Sequence, residues 1–403
     1  MNTACVLPSQ RRVNGMYCLI QMAYWAMFAA VAGFQAALLL SRGFSSGYIG
    51  IFASLRCLSG IIFLPLLCGW ADRHPEVPLK RIFSLCMLTS LGVSMVLCLT
   101  RPGFFGTALI YMALGALELN AYPLLDSMAV QFLSAGIDVK YSLGRGLGSF
   151  SYAVACVLLG RQATALGVES LLLTHAVLLL FLLGVTAAFP SMPQGAPGTV
   201  RKAGEAPHSV WFLLRSNRSF SMILAASFFC MLAVMPAVSF MTSIITAHGG
   251  DNADLGVGLF LMASAELPAA VLFPHLCRRL GNRGVLVFAF VFMAMKPVLI
   301  LLAPSLFWVM AVQPIQLLGY GLFTPASVFF TNENIPAVDR IRGQSIMMVA
   351  SNGLGGAVGN LLGGAAIDLG GVSSMLTMSI ACGMVGVLLA VGAVLRSGSR
   401  RQA

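Results

Sequence analysis

The sequence predicts an all-α membrane protein: twelve transmembrane helices in two six-helix bundles. Three observations carry that expectation. Hydrophobic residues make up 58% of the chain and charged residues 9%, against roughly 25% charged in a soluble globular domain. Apolar runs long enough to cross a bilayer follow one another along the 403 residues, and about 20 such residues suffice for one helix. A single polar stretch near the middle divides these runs into two sets.

The twelve segments lie at roughly 14–40, 47–70, 81–100, 103–126, 143–160, 169–189, 219–247, 255–277, 284–303, 305–331, 343–366 and 372–395. A membrane β-barrel needs shorter segments of alternating polarity, which the sequence lacks. Backbone polar groups inside hydrocarbon must pair with each other, so each segment is expected to be a helix. Residues 190–218, rich in Pro, Gly and basic residues, read as a cytoplasmic linker. It separates an N-terminal bundle, 1–189, from a C-terminal bundle, 219–403. Ser209 to Arg218 reads as a short basic amphipathic helix on the inner surface.

Lys and Arg set the orientation. Of the 24, Arg42, Arg101 and Arg161 fall in outer loops and Arg56 and Lys296 within spans; the remaining nineteen lie on the inner side when the N-terminus is cytoplasmic. Both termini are therefore expected inside. The net charge of +11 is a topology signal, and a nucleic-acid partner is excluded because the basic residues form no polar binding face. The N-terminal apolar run is too long for a cleaved signal peptide. Ten cysteines, scattered singly through the spans, read as small buried hydrophobes. No cofactor or metal is expected.

The halves resemble each other weakly. FLPLLCGWADR (63–73) closes the second span, and LFPHLCRRLGNR (272–283) closes the eighth. Both place Pro-x-Leu-Cys before a basic turn. Paired six-span halves are a transporter signature, with the solute bound near the midplane.

An ionisable side chain at bilayer depth costs about 2.5 kcal/mol or more, so it marks a pathway or a paired site. Six are found here: Arg56, Glu118, Asp126, Arg145, Glu266 and Lys296. They balance in sign, which suits mutual pairing. Glu118, Tyr122 and Asp126, four residues apart, share one helix face. Arg145, Ser149 and Tyr152 share another. Gln313, Gln316, Tyr320, Thr324 and Ser327 recur at steps of three and four. Three such stripes predict a hydrated cavity. His175 stands alone in the sixth span and reads as structural. Gly353, Gly356, Gly359, Gly363 and Gly364 let neighbouring helices approach closely. Pro236, Pro268, Pro297, Pro314 and Pro325 interrupt spans seven to ten as hinges or static kinks. The five histidines form no catalytic or metal-binding set, which argues against an enzyme.

The architecture resembles the major facilitator superfamily over nearly the whole chain. The loop after the second span, GWADRHPEVPLKR (69–81), is similar to that family's Gly-x-x-x-Asp-Arg gating motif. Gly69, Asp72, Arg73, Lys80 and Arg81 fit its chemistry, although Gly69 sits one position late and Cys68 takes the family's glycine position. The segment PLLDSMAVQ…YSLGRGLGSFSY (123–152) resembles the branch with lactose permease, nucleoside–proton symporters and phenylpropionate permeases. In lactose permease the sugar site has an acid ending helix 4, an Arg opening helix 5 and an aromatic two turns later; Asp126, Arg145 and Tyr152 match them. Glu266 and Lys296 match a Glu of helix 8 and a basic residue of helix 9. The match stops elsewhere. Gly319 and Leu322 stand where lactose permease has its helix 10 proton relay, Ala233 and Pro236 replace carboxylates of helix 7, and Asn352 replaces a Lys of helix 11.

The resemblance implies a secondary active transporter of the inner or plasma membrane, monomeric, moving a small organic solute by alternating access. Proton symport is the expected mode; proton-coupled efflux of amphipathic compounds is the alternative. Asp126, Arg145, Tyr152, Tyr24, Trp25, Gln316 and Tyr320 are the candidate solute-binding residues. Glu266, Lys296, Glu118 and Arg56 are the candidates for proton coupling and ion pairing, with Glu266 expected to meet Lys296 in one state.

Overall fold

The computed structural model describes residues 8–74, 76–191 and 209–399. The side chains of Asp72, Leu267, Ala270 and residues 397–399 lie outside that description, as does most of the 190–218 linker, including Arg201 and Lys202. Among the described residues every regular element is helical.

The helices are α1 (Gln10–Phe28), α2 (Gln35–Ser41), α3 (Ser46–Arg73), α4 (Leu79–Leu99), α5 (Phe104–Ser134), α6 (Tyr141–Leu166), α7 (Ser170–Ala188), α8 (Val210–Ser216), α9 (Arg218–Ser239), α10 (Met241–Ala247), α11 (Asn252–Ser264), α12 (Glu266–Leu301), α13 (Leu306–Val312), α14 (Tyr320–Asn334), α15 (Arg340–Met348) and α16 (Gly356–Ser399). Ten described stretches are long and apolar enough to cross a membrane. Helix α12 is broken at Gly281 (φ 67°), and the 60-residue stretch 337–396 is broken at Gly370 and Gly371 (φ 72°). Positive φ is open to glycine and costly for other residues, so these breaks fall where the sequence permits a reversal. The Pro-x-Leu-Cys segment of α3 runs to the helix end at Arg73, and its counterpart in α12 runs to Gly281.

Three stretches of π- or 3₁₀-helix interrupt the predicted spans. Ala29–Gly33 and Val349–Gly355 are π-helical, and Gln313–Leu317 is a 3₁₀ turn. Pro314 has no N–H and its ring crowds the preceding turn, which accounts for the tightening there. Helix α8 begins at Ser209, whose hydroxyl accepts from the Phe212 N–H at 3.2 Å, an N-cap. Arg215 lies over the Trp211 ring at 4.8 Å.

The chain divides into two compact units: residues 1–34 with 58–203, and residues 35–57 with 204–403. The core of the first is built by Tyr17, Ile20, Tyr24, Met27, Phe83, Leu125 and Leu179. The core of the second is built by Phe220, Ile223, Leu286, Phe290, Leu322 and Phe330. Outward-facing side chains are also apolar, among them Leu109, Leu158, Leu180 and Leu388, each more than half exposed. Helices apolar on every side suit a lipid surround.

In the second unit the glycines of α16 and its π-helical lead-in face α9. A Cβ on Gly355 would meet the Phe228 carbonyl oxygen at 2.8 Å and the Met231 Cβ at 2.9 Å, and one on Gly359 would meet Leu232 backbone atoms at 3.1 Å. Backbones this close need the missing side chain. Gly355→Ala should therefore lower the melting temperature of the detergent-purified protein, at a cost of about 1–3 kcal/mol for overpacking. Gly92→Ala, with open space around it, should not. Equal melting temperatures for the two variants would refute the packing role.

Candidate functional site

The first unit gathers the polar residues of α1, α5 and α6. Arg145 opens α6 and lies 3.3 Å from the Asp126 carboxylate of α5. The Tyr141 hydroxyl donates to the same carboxylate at 2.9 Å, and Gln21 donates to its other oxygen at 3.4 Å. The four-residue step that put Glu118, Tyr122 and Asp126 on one face also seats the Arg145 guanidinium over the Tyr122 ring at 4.5 Å. The cation is thus held by a carboxylate and an aromatic face together.

Aromatic rings extend this arrangement. Trp25 meets Tyr122 at 5.6 Å and Tyr152 at 6.2 Å between ring centroids, both edge-on. Tyr24 stacks on Tyr122 at 6.5 Å and on Phe28 at 6.0 Å. The Trp25 indole N–H is buried with no hydrogen-bond partner among the described residues, a donor left for another group. Small residues make room for these rings. A Cβ on Gly148 would meet the Trp25 indole carbon at 2.5 Å, and one on Gly144 would meet the Tyr17 ring at the same distance. Asp126, Arg145, Tyr152, Tyr24 and Trp25 are therefore brought together.

Glu118 is fully buried. Its carboxylate accepts from Ser90 of α4 at 2.8 Å and lies 3.2 Å from His175 Nε2 of α7. His175 does not stand alone as its sequence context suggests: tertiary packing supplies both its carboxylate and a hydroxyl, Ser94, at 2.8 Å. The missed signal was the Cys86, Ser90, Ser94 series at four-residue steps, which places two hydroxyls on the buried face of α4.

In the second unit Lys296 is buried and donates to Gln316 Oε1 at 2.9 Å. Glu266 is exposed at the start of α12. The described hydrogen-bond partner of Lys296 is thus an amide. Tyr320 donates to Asn352 at 3.3 Å. A cleft of about 160 Å³ is lined by Thr324, Ser327, Thr331, Gln344, Ser351 and Asn352. The stripe Gln313, Gln316, Tyr320, Thr324, Ser327 is real but bent, because Gly319 ends the 3₁₀ turn before α14 resumes. Arg56 is buried and donates to Gln35 at 3.2 Å.

At the loop after α3, Arg73 donates to the Gly69 carbonyl at 2.8 Å. Lys80 donates to the carbonyls of Ala187 and Phe189 at the end of α7. Arg81 is exposed, and the Asp72 side chain is outside the described residues. The described bonds of Arg73 and Lys80 therefore run to main-chain carbonyls that end helices, which favour a cation.

The model of the MFS_1 like family matches residues 17–378. The chain belongs to that family. It is 24% identical over 376 residues to the maltose permease of Geobacillus stearothermophilus, covering 93% of this chain and 91% of the relative. Among solved structures, this MFS_1 like chain has the fold of the nucleoside transporter NupG: TM-score 0.81, 14% identity, 95% of this chain and 98% of the other. A POT family peptide transporter gives a TM-score of 0.69 at 13% identity, with 96% of each chain covered. A bacterial homologue of the human lysosomal transporter Spinster gives 0.69 at 14% identity, with 97% of each chain covered. The protein is thus a multi-pass membrane transporter of the MFS_1 like family, and solute transport is its general function.

The geometry of the Asp126–Arg145 pair yields a measurable coupling. The side chains are 21% and 36% exposed, so solvent screens the pair and its worth is about 1 kcal/mol. A double-mutant cycle of Asp126→Ala and Arg145→Ala, read from thermal unfolding in detergent, should return coupling of that size. Additive effects would mean that Tyr141 and Gln21, rather than Arg145, hold the carboxylate.

Proposed function

We propose that the chain imports a small organic solute (a sugar, a nucleoside or an aromatic acid) by proton symport, cycling by alternating access. The observation that carries this reading is the Asp126–Arg145 pair, bordered by the rings of Tyr122, Trp25, Tyr24 and Tyr152. A carboxylate and a guanidinium side by side offer acceptors and donors at once, as a polyhydroxylated or heterocyclic solute requires. Aromatic faces beside them suit a ring. The unsatisfied Trp25 N–H adds a directional donor. Buried polar groups that a correct solute completes, and a wrong one leaves unpaired, give the largest discrimination.

In this reading the chain crosses the cell membrane twelve times with both termini in the cytoplasm. The count of twelve takes α11 with α12 up to Gly281 as the eighth span and the rest of α12 as the ninth, and divides 337–396 at Gly370–Gly371. The bundles are 1–189 and 219–403, joined by the linker 190–218, and the protein works as a monomer. Within the second unit, Gln316 and Tyr320 are the proposed solute-binding residues. Glu266 and Glu118 carry the proton, and Glu266 pairs with Lys296 in one state; Arg56 is a further ion-pairing candidate. Gly69, Asp72, Arg73, Lys80 and Arg81 form the inner gate.

The purified protein in liposomes, with a pH-sensitive dye outside, tests this directly. Maltose, uridine and 3-phenylpropionate are added in turn. External alkalinisation is expected with one of them. Arg145→Gln should slow it by about tenfold or more, the loss of ~1.4 kcal/mol of solute binding. Glu266→Gln should abolish proton movement. No pH change with any probe, from protein that melts cooperatively, would remove the symport reading, and an undiminished response in Glu266→Gln would remove Glu266 from coupling.

A further inference from the structure

A second polar chain lies inside the first unit, apart from the Asp126–Arg145 pair. It runs from Ser94 of α4 to His175 of α7, to Glu118 of α5, and back to Ser90 of α4. His175 and Glu118 both have zero exposed surface. A mere tie between three helices needs only hydroxyls and amides. An imidazole and a carboxyl at this depth are a costly way to provide one, and they add the capacity to bind a proton.

The atoms show where that proton goes. His175 Nε2 faces Glu118 Oε1 at 3.2 Å and the Met27 sulfur at 3.1 Å. Both are acceptors when the carboxyl is ionised, so Nε2 carries a hydrogen in that state. His175 Nδ1 faces the Ser94 hydroxyl at 2.8 Å. A hydroxyl both donates and accepts. With neutral imidazole, Ser94 donates to Nδ1. When Nδ1 takes a proton from water, the new N–H donates to Ser94 Oγ, and only the hydroxyl hydrogen has to turn. The pair then passes from a net charge of −1 to zero, with no electron transferred.

We propose that the His175–Glu118 pair is a reversible proton-binding site, with Ser94 as its switching partner. Its role in transport rests on the proton-coupled reading above; the binding itself does not. The site is joined to the candidate solute site through one residue. The Tyr24 hydroxyl donates to the Glu118 carbonyl at 2.9 Å, while its ring stacks on Tyr122, which carries Arg145. The other titratable and charged groups on the packed elements are Arg11, Arg12, Tyr17, Cys18 and Tyr24 of α1, Lys80, Arg81, Cys86 and Cys98 of α4, Tyr111, Tyr122 and Asp126 of α5, and Tyr141, Arg145, Tyr152, Cys156 and Arg161 of α6. Helix α3 approaches α5 where Asn120 donates to the Gly60 carbonyl. From Leu58 to Ala71 it holds no charged residue, and Arg56 just before that stretch bonds Gln35.

Nuclear magnetic resonance of the full-length protein in lipid nanodiscs, labelled with ¹⁵N-histidine, tests the site without any solute. The His175 signal is identified by its loss in His175→Gln. From about pH 5 to about pH 8, reversible protonation at Nδ1 is expected. Glu118→Gln should move the midpoint by about one pH unit or more, a tenfold change in proton affinity. Ser94→Ala, a smaller change that keeps both ionisable groups, should also move it and guards against misfolding of the first variant. A His175 signal constant across the scan overturns the proposal, as does a midpoint unmoved in both variants. Titration as expected in a protein that gives no dye response would uphold the proton site and remove the symport reading instead.

Discussion

A bilayer interior offers no hydrogen bonds, and the rest of this structure follows from that one constraint. Every backbone N–H and C=O at that depth has to find a partner within the protein. Helix is the answer along almost all of the described chain. Polar side chains obey the same rule. Ser54 donates to the carbonyl of Gly50 on its own helix, Asn120 to that of Gly60 on α3, and Gln313 to that of Val309. Asp368 accepts from the Gly47 N–H at 2.9 Å, closing an end of α3.

The same constraint makes the interior charges informative. The carboxylates and the cations among them are held by different means. Asp126 has a guanidinium, a phenol and an amide; Glu118 has a hydroxyl and an imidazole; Lys296 has an amide; Arg56 has an amide. The first two sites share the stacked rings of Tyr24 and Tyr122. A solute that displaces Arg145 from the Tyr122 face therefore acts on a ring one neighbour away from the Glu118 backbone. That adjacency is the physical basis on which solute and proton binding become one process in the proposed cycle.

Close packing supplies what the hydrophobic effect cannot, since lipid is as apolar as leucine. Glycines of α16 bring it against α9, and Gly144 and Gly148 of α6 admit the rings of Tyr17 and Trp25. The irregular turns at 29–33, 313–317 and 349–355 lie beside Gln35, at Gln316 and at Asn352 respectively. Helix regularity is given up where polar side chains gather.

Much of this was legible in the sequence. Composition and run length determined the helical membrane class. The four-residue spacing of Glu118, Tyr122 and Asp126 determined their common face, because an α-helix has only one way to place such residues. The resemblance of segment 123–152 singled out Asp126, Arg145 and Tyr152; that the first two pair was decided by the structure. Other features were decided only by tertiary structure. The carboxylate and the hydroxyl that face His175 come from two other helices, on Glu118 and Ser94. Lys296 meets Gln316 at 2.9 Å, a partner that no local pattern names. The ends of the helices at Gly281 and Gly371 were read only approximately, because a glycine permits a positive φ without requiring one. Sequence periodicity fixes which face of a helix a residue occupies. Which helix that face then meets depends on how the helices pack, and no local pattern encodes that choice.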